Sequence, residues 1–152
     1  MAAHRAADGT SVERRGLALF ALTLGVFLVT INVTLVIVAL PDIQADLGGA
    51  RSQTAWVVDA YTLVGASLLL SAGSIADRFG RKRVLVTGYV ILAGAAALCA
   101  VAPTIGWLLA FRVLMGIGGT VLTPTSMAIV ANLYPDTRER ARAIGLLSLI
   151  HI

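Results

Sequence analysis

Long apolar runs divide the sequence into four segments, each bounded by charged or turn-forming residues. They cover about 17–40, 56–76, 84–102 and 107–133. A helix of about 20 apolar residues crosses the hydrocarbon layer of a bilayer, which is about 30 Å thick. We therefore predict an all-α polytopic membrane protein. Four spanning helices and the start of a fifth occupy residues 17–146.

The two ends of the chain depart from this apolar pattern. Residues 1–16 are polar and rich in small side chains, so we expect a mobile cytoplasmic tail. Each apolar segment exceeds the about 7 to 15 residues of a cleaved signal sequence, so no cleavage is expected. Residues 147–152 look like the translated end of a sequencing adapter, and we expect an artefactual terminus there.

Prolines and glycines mark the expected turns. Pro41 is expected to stop the first helix, and the glycines at 48–49 break the chain before the second. The third and fourth spans should turn over at 103–106. Inside the fourth span, Pro124 predicts a kink, and the segment 134–136 should end that helix.

Composition excludes most soluble classes. Hydrophobic residues make up 58% of the chain and charged residues only 13%, whereas globular proteins carry about 25% charged residues. So little charge cannot coat a surface in water, and a bilayer is the expected solvent. A nucleic-acid-binding domain is not expected, despite the net charge of +4. The single cysteine, Cys99, forms no internal disulfide, and its apolar neighbours predict a packed thiol.

The distribution of Lys and Arg predicts the orientation, because these residues stay on the cytoplasmic side of short loops. With a cytoplasmic N-terminus, ten bases fall on that side and only Arg51 on the other. The ten are Arg5, Arg14, Arg15, Arg78, Arg81, Lys82, Arg83, Arg138, Arg140 and Arg142. Trp56 and Trp107 then lie at the outer interface, where amphipathic rings form a belt. We expect a multi-pass cell-membrane protein.

The turn after the second span holds an acid among bases. Retention of positive residues in the cytoplasm would explain the bases of this turn, but it would not explain Asp77. An acid at the C-terminal end of a helix is unfavourable unless something positive faces it. Arg78, Arg81 or the N-terminus of another helix could do so. Gly73 and Gly80 would allow a neighbouring helix to approach closely.

The spacing Gly-x-x-x-Asp-Arg-x-Gly-Arg-Lys over residues 73–82 resembles the loop between the second and third helices of the major facilitator superfamily. Four other segments, 32–41, 56–61, 112–119 and 123–125, resemble its multidrug:proton antiporter branch with fourteen spans. The resemblance implies two six-helix halves that rock around a midplane site, of which this chain would supply the N-terminal part. It also implies a gating loop. Its residues are Gly73, Asp77, Arg78, Gly80, Arg81 and Lys82.

Three positions depart from that branch. Its first-span motif usually opens with Asp where this chain has Asn32, and it has Asn where this chain has Ile37. Its fourth-span motif usually has Gln in place of Met115. The resemblance implies that position 32 is that of the acid that couples transport to protons. The amide of Asn32 cannot carry a titrating proton. Either Asp59 takes over that duty, an acid elsewhere in the transporter does, or coupling is absent. Asn32 could also serve only as a hydrogen bond between helices.

Two ionisable residues lie within the spans, and such residues are costly in lipid. From the flanking tryptophans, Asp59 and Arg112 are expected at similar depth. We hypothesise that they pair across the second and fourth helices or share one water-filled cavity. Alternatively, each side chain reaches the outer interface. Gly116 and Gly119 share a face with Arg112 and predict close helix packing or a cavity wall.

The leading functional prediction is proton-driven efflux of small amphipathic compounds. Uniport or symport of a nutrient is the alternative within the same fold. A complete four-helix channel or assembly protein is the alternative from another class. An enzyme is not expected, because the spans contain no metal-ligand cluster and no nucleophile-base pair. The expected partners are the lipid bilayer, a small-molecule substrate, protons and the remainder of the transporter, with no cofactor, metal or nucleic acid.

Overall fold

The computed structural model describes residues 2–48 and 50–149, and every regular element within them is a helix. The six helices are α1 (Ala2–Leu47), α2 (Arg51–Phe79), α3 (Arg81–Ala100), α4 (Ile105–Thr120), α5 (Leu122–Leu133) and α6 (Thr137–Leu149). Four helical segments are long and apolar enough to cross a membrane: Gly16–Leu47, Ser52–Phe79, Arg81–Ala100 and Ile105–Leu133. The prediction of an all-α chain with four spans is confirmed.

The first helix differs from its prediction at both ends. Where a tail was expected over residues 1–16, the described residues from Ala2 onward continue α1. The expected stop at Pro41 is wrong, because α1 runs through this proline to Leu47. The helix ends beside Gly48, whose φ of +55° is a left-handed conformation that glycine adopts without a steric penalty.

The turn between α2 and α3 consists of Gly80 alone. Its φ of +93° is disfavoured for residues with a Cβ, and its N–H donates to Ala76 O at 3.0 Å. The base-rich loop expected here is therefore folded almost entirely into two helices. Asp77 lies in the last turn of α2, and Arg81 begins α3.

The fourth span is divided into α4 and α5 at Val121. Pro124 explains the interruption, because it has no N–H to donate to Thr120 and its ring crowds that carbonyl. Thr104 caps α4 by accepting a 3.5 Å hydrogen bond from Trp107 N–H. After α5, Asp136 caps α6 by accepting from the N–H groups of Arg138 and Glu139, at 3.2 and 3.1 Å.

The fourth span lies at the centre of the bundle. Half of its most apolar window is buried, compared with 17 to 22% for the other three spans. Glycines permit its close packing on both sides. A Cβ on Gly118 would lie 2.8 Å from Leu92 N of α3, and one on Gly116 would lie 2.9 Å from Tyr61 O of α2. α4 therefore brings its polar residues against two neighbouring helices.

Candidate functional site

Arg112 is the most deeply buried charge among the described residues, with 1% of its surface exposed. It projects from α4 between α1 and α2. Its Nε donates to Val57 O at 2.8 Å, and its Nη1 donates to Asn32 Oδ1 at 2.6 Å. Met115 Sδ accepts a longer contact of 3.6 Å from Nη1. The Tyr61 ring lies 4.8 Å from the guanidinium carbon, within cation–π range.

The expected pair between Asp59 and Arg112 is not formed in the described part of the chain. Arg112 does reach the expected depth of α2, since it bonds to Val57, two residues from Asp59. At 3.6 residues per turn, however, positions two residues apart lie on nearly opposite sides of a helix. Val57 therefore faces α4 and is fully buried, whereas Asp59 is exposed on the other side.

Asn32 takes the place beside Arg112 that was expected for Asp59. Asn32 lies close to the middle of the span Gly16–Leu47. Asn32 and Arg112 were predicted as separate candidates, and their contact was not predicted. They are 80 residues apart in the chain, and helical periodicity carries no information about such a distance.

A cavity of about 450 Å³ lies beside this pair, a size typical of small-molecule sites. Asn32 and Arg112 supply polar groups to its wall, and most of the remaining wall is apolar. The apolar lining residues are Val36, Ala39, Ile43, Leu47, Val57, Ala96, Ala100, Ala102 and Leu108, with the sulfur-bearing Cys99 and Met115. Asp42 and Asp46, near the C-terminal end of α1, also line it. Asp59 does not line this cavity.

The gating motif is held together by Arg81. Its Nε and Nη2 donate to Asp77 Oδ1 at 3.0 and 2.9 Å, and its Nη1 donates to Ala128 O of α5 at 3.1 Å. Arg81 thus ties the turn between α2 and α3 to α5, the C-terminal part of the fourth span. Arg78, the other expected partner of Asp77, lies over the Phe79 ring instead, 5.7 Å from its centroid. Lys82 lies beside Arg81 in the wall of a second groove.

The glycines of the expected site fall into two groups. Gly116 and Gly119 pack against Tyr61 of α2, where added Cβ atoms would lie 2.9 Å from its carbonyl oxygen and 2.7 Å from its hydroxyl. Gly73 and Gly80 have open space around the position of a Cβ. No described helix makes the close approach that was expected at these two positions.

Two further contacts were missed by sequence reasoning. Tyr89 of α3 donates a 3.1 Å hydrogen bond to Ala21 O of α1, and its ring occupies the space beside Gly25. Gly88 and Gly118 form the closest approach of α3 to α4, where a Cβ on Gly88 would lie 3.0 Å from Gly118 O. In the sequence, the one indication of these contacts is the glycines on the predicted spans, because a glycine allows a neighbouring helix to come close.

Four apolar spanning helices, a buried arginine beside an apolar cavity and a base-rich turn define a polytopic membrane transport protein. The chain belongs to the Major Facilitator Superfamily, whose family model matches residues 22–151. It is therefore part of a transporter and not of an enzyme. Membership in this family also contradicts the alternative of an unrelated small channel or assembly protein.

Similar proteins are known by their roles in drug resistance. The chain is 41% identical over 128 residues to a methylenomycin A resistance protein of Bacillus subtilis, covering 84% of this chain and 28% of the relative. It is 38% identical over 135 residues to a methylenomycin A resistance protein of Streptomyces coelicolor, covering 89% and 28%. It is 38% identical over 133 residues to the multidrug efflux pump LfrA of Mycolicibacterium smegmatis, covering 88% and 26%. The chain thus spans about a quarter of the length of these relatives.

Proposed function

We propose that this chain forms the N-terminal spanning helices of a proton-coupled transporter that exports small amphipathic compounds by alternating access. The observation that carries the proposal is the buried hydrogen bond between Arg112 and Asn32 beside an apolar cavity. A cavity with a few convergent polar groups suits a ligand that is mostly apolar and has one polar end. The drug-resistance names of the relatives support the direction of transport. The fourteen-span branch remains part of this proposal.

The cytoplasmic gate is proposed to be the turn held by Arg81. Asp77 keeps 65% of its side chain exposed although it is paired, and Gly73 has open space beside it. Together they offer an acid and a flat helix surface on α2. A helix from the remainder of the transporter could dock there with its positive N-terminal end against Asp77. Docking and release of that helix would close and open the cytoplasmic side.

Proton coupling is proposed to use an acid at another position, because position 32 is an asparagine. Within this chain the candidate is Asp59, which lies on the exposed face of α2 beside Thr62. An exposed carboxylate on a helix that crosses the membrane calls for water or another part of the protein around it. Asp59→Asn is expected to remove substrate-driven proton movement in the complete transporter. Unchanged proton movement in this variant would contradict a coupling role for Asp59.

Efflux is tested in cells that express the complete transporter and are loaded with a fluorescent amphipathic dye. The expected result is export that stops when a protonophore collapses the proton gradient. Asn32→Ala should reduce this export strongly, whereas Thr34→Ala, at an exposed position on the same helix, should leave it nearly unchanged. Inward accumulation of the compound would favour nutrient uptake instead and contradict the proposal.

The proposed location is the cell membrane, with the N-terminus in the cytoplasm. Packing supports this orientation, because α1 near Ala18, α3 near Lys82 and α5 near Leu133 line one groove at the base-rich end of the bundle. In a Cys99→Ser background, a maleimide that cannot cross membranes should label Lys82→Cys only in inside-out vesicles. It should label Thr104→Cys only in right-side-out vesicles. The reverse pattern would overturn the orientation.

A further inference from the structure

The positive charge of Arg112 has only neutral partners. Its three hydrogen-bond acceptors are a backbone carbonyl, an amide oxygen and a thioether sulfur, and its aromatic neighbour is the Tyr61 ring. Its second terminal nitrogen, Nη2, is buried and has no hydrogen-bond partner among the described residues. The one ion pair found in the described part of the chain joins Arg81 to Asp77 and does not involve Arg112.

A buried cation of this kind is expensive unless an anion compensates it. Removing a charge from water costs several kcal/mol, and neutral dipoles recover only part of that cost. An aspartate at position 32 would supply a carboxylate within hydrogen-bond reach of Nη1. The amide of Asn32 accepts the same bond without charge. Among the described residues, no anion therefore compensates the guanidinium.

We infer that the transported compounds of this protein carry a carboxylate, and that this carboxylate binds the guanidinium of Arg112. The inference rests on the proposed function and narrows its substrate class. Arg112 forms part of the cavity wall, where a carboxylate could bind Nη2 and compete with Asn32 for Nη1. Paired N–H donors match the two carboxylate oxygens. The apolar wall, which includes Val36, Ala96 and Leu108, would hold the hydrocarbon part of the molecule.

Two acids also line this cavity and have the opposite effect on an anion. Asp42 and Asp46 are exposed and lie near the C-terminal end of α1. Asp42 is ten residues beyond Asn32, which corresponds to about 15 Å along a helix. Exposed charges at that separation are largely screened at physiological salt, where the Debye length is about 8 Å. Asp42 and Asp46 should therefore weaken anion binding near the C-terminal end of α1 but leave the attraction between an anion and Arg112 in place.

The test compares two compounds of nearly equal size, 4-phenylbutyrate and its primary amide, 4-phenylbutyramide. Cells expressing the complete transporter are expected to export the acid about tenfold faster or more, the ratio that one charge-assisted hydrogen bond supports. Asn32→Asp supplies an internal carboxylate and should bring the ratio close to one. Asn32→Ala leaves the charge uncompensated, so it should keep the preference at a lower rate. Equal export of both compounds, or a preference that survives Asn32→Asp, would overturn the inference.

A binding measurement separates this inference from the proposed function. Cys99 lines the same cavity, so a bound carboxylate should slow its reaction with N-ethylmaleimide in the purified complete transporter. The Cys99→Ser variant should lose this reaction, which shows that the measured labelling is that of Cys99. Phenylbutyrate should protect the thiol, the amide should not, and Asn32→Asp should abolish protection. Protection without export would reject efflux and retain the anion site. Absence of protection, or equal protection by chloride alone, would reject the carboxylate site.

Folding of the Arg112 variants is the remaining control. Arg112→Lys keeps the charge but loses the paired donors, so it should keep the preference for the acid with weaker protection of Cys99. Arg112→Gln should lose the preference altogether. If Arg112→Gln is not inserted, the comparison of Asn32→Asp with Asn32→Ala decides the question by itself, because neither variant removes the arginine. A preference that survives in a folded Arg112→Gln variant would also contradict the inference.

Discussion

Arg112 of α4 donates a 2.6 Å hydrogen bond to Asn32 of α1, and the two residues are 80 positions apart in the chain. The bond connects the central helix of the bundle to the middle of the first span. It also places an uncharged amide beside a buried cation. Both proposals above depend on this contact, since it fixes where the polar end of a ligand meets the apolar cavity.

The contact between Arg112 and Asn32 leads to a prediction about charge reversal. The double variant Asp59→Arg with Arg112→Asp should not recover transport lost in either single variant, because Arg112 contacts the side of α2 that carries Val57 and Asp59 is exposed on the opposite side. A coupling energy near zero is expected in a double-mutant cycle of melting temperatures. By contrast, Asn32→Ala with Arg112→Ala should show a clear coupling energy. Recovery in the charge-reversal variant would contradict the geometry described here.

Close packing of α3 on α4 depends on Gly118. Replacing it with alanine places a Cβ 2.8 Å from Leu92 N, a backbone atom that cannot move independently. Overpacking of this kind costs about 1 to 3 kcal/mol, so Gly118→Ala should melt at a lower temperature in detergent. Gly94→Ala on α3 is the matched control, because a Cβ there meets open space. Equal melting temperatures for the two variants would show that α3 and α4 are not packed this closely.

The turn between α2 and α3 requires glycine at position 80. At a φ of +93°, a residue with a Cβ is strained by about 1 to 3 kcal/mol, and Gly80→Ala should lower the melting temperature of the chain. Gly73→Ala lies inside α2 with open space around it. It should be neutral or stabilise the helix by up to about 1 kcal/mol. In the complete transporter, Gly73→Ala should instead reduce transport, because the proposed docking helix would meet the added methyl group.

Arg81 connects three elements, and its removal should have a larger effect than removal of its neighbour Arg78. Arg81→Ala loses the half-exposed pair with Asp77, worth about 0 to 1 kcal/mol, and the bond to Ala128 O, worth about 0.5 to 1.5 kcal/mol. Amide hydrogen exchange should therefore increase at the end of α2 and in α5. Arg78→Ala, which gives up only its contact with Phe79, should leave exchange in α5 unchanged. Faster exchange in α5 for both variants would contradict this role of Arg81.

Much of the candidate site was predictable as a set of residues but not as an arrangement. The buried base on the fourth span, the amide on the first and the acid at the end of α2 were each recognised, because polar groups stand out in an apolar helix. Their partners were predicted less well. Asp59 was predicted as the partner of Arg112 because the two residues have similar depth. Arg78 and Arg81 were both predicted as possible partners of Asp77. Depth follows from counting residues along one helix, whereas a contact also requires the rotation of both helices.

The sequence by itself determined that this chain has four membrane-spanning helices, where most of its turns lie, and which family it resembles. These features are local, since apolar length, proline, glycine and capping residues act within a few positions of each other. Only the tertiary structure decided that Arg112 meets Asn32, that Gly118 meets Gly88, and that α1 passes through Pro41 to Gly48. Those outcomes depend on how whole helices rotate and pack to satisfy buried polar groups, and residues far apart in the chain decide that together.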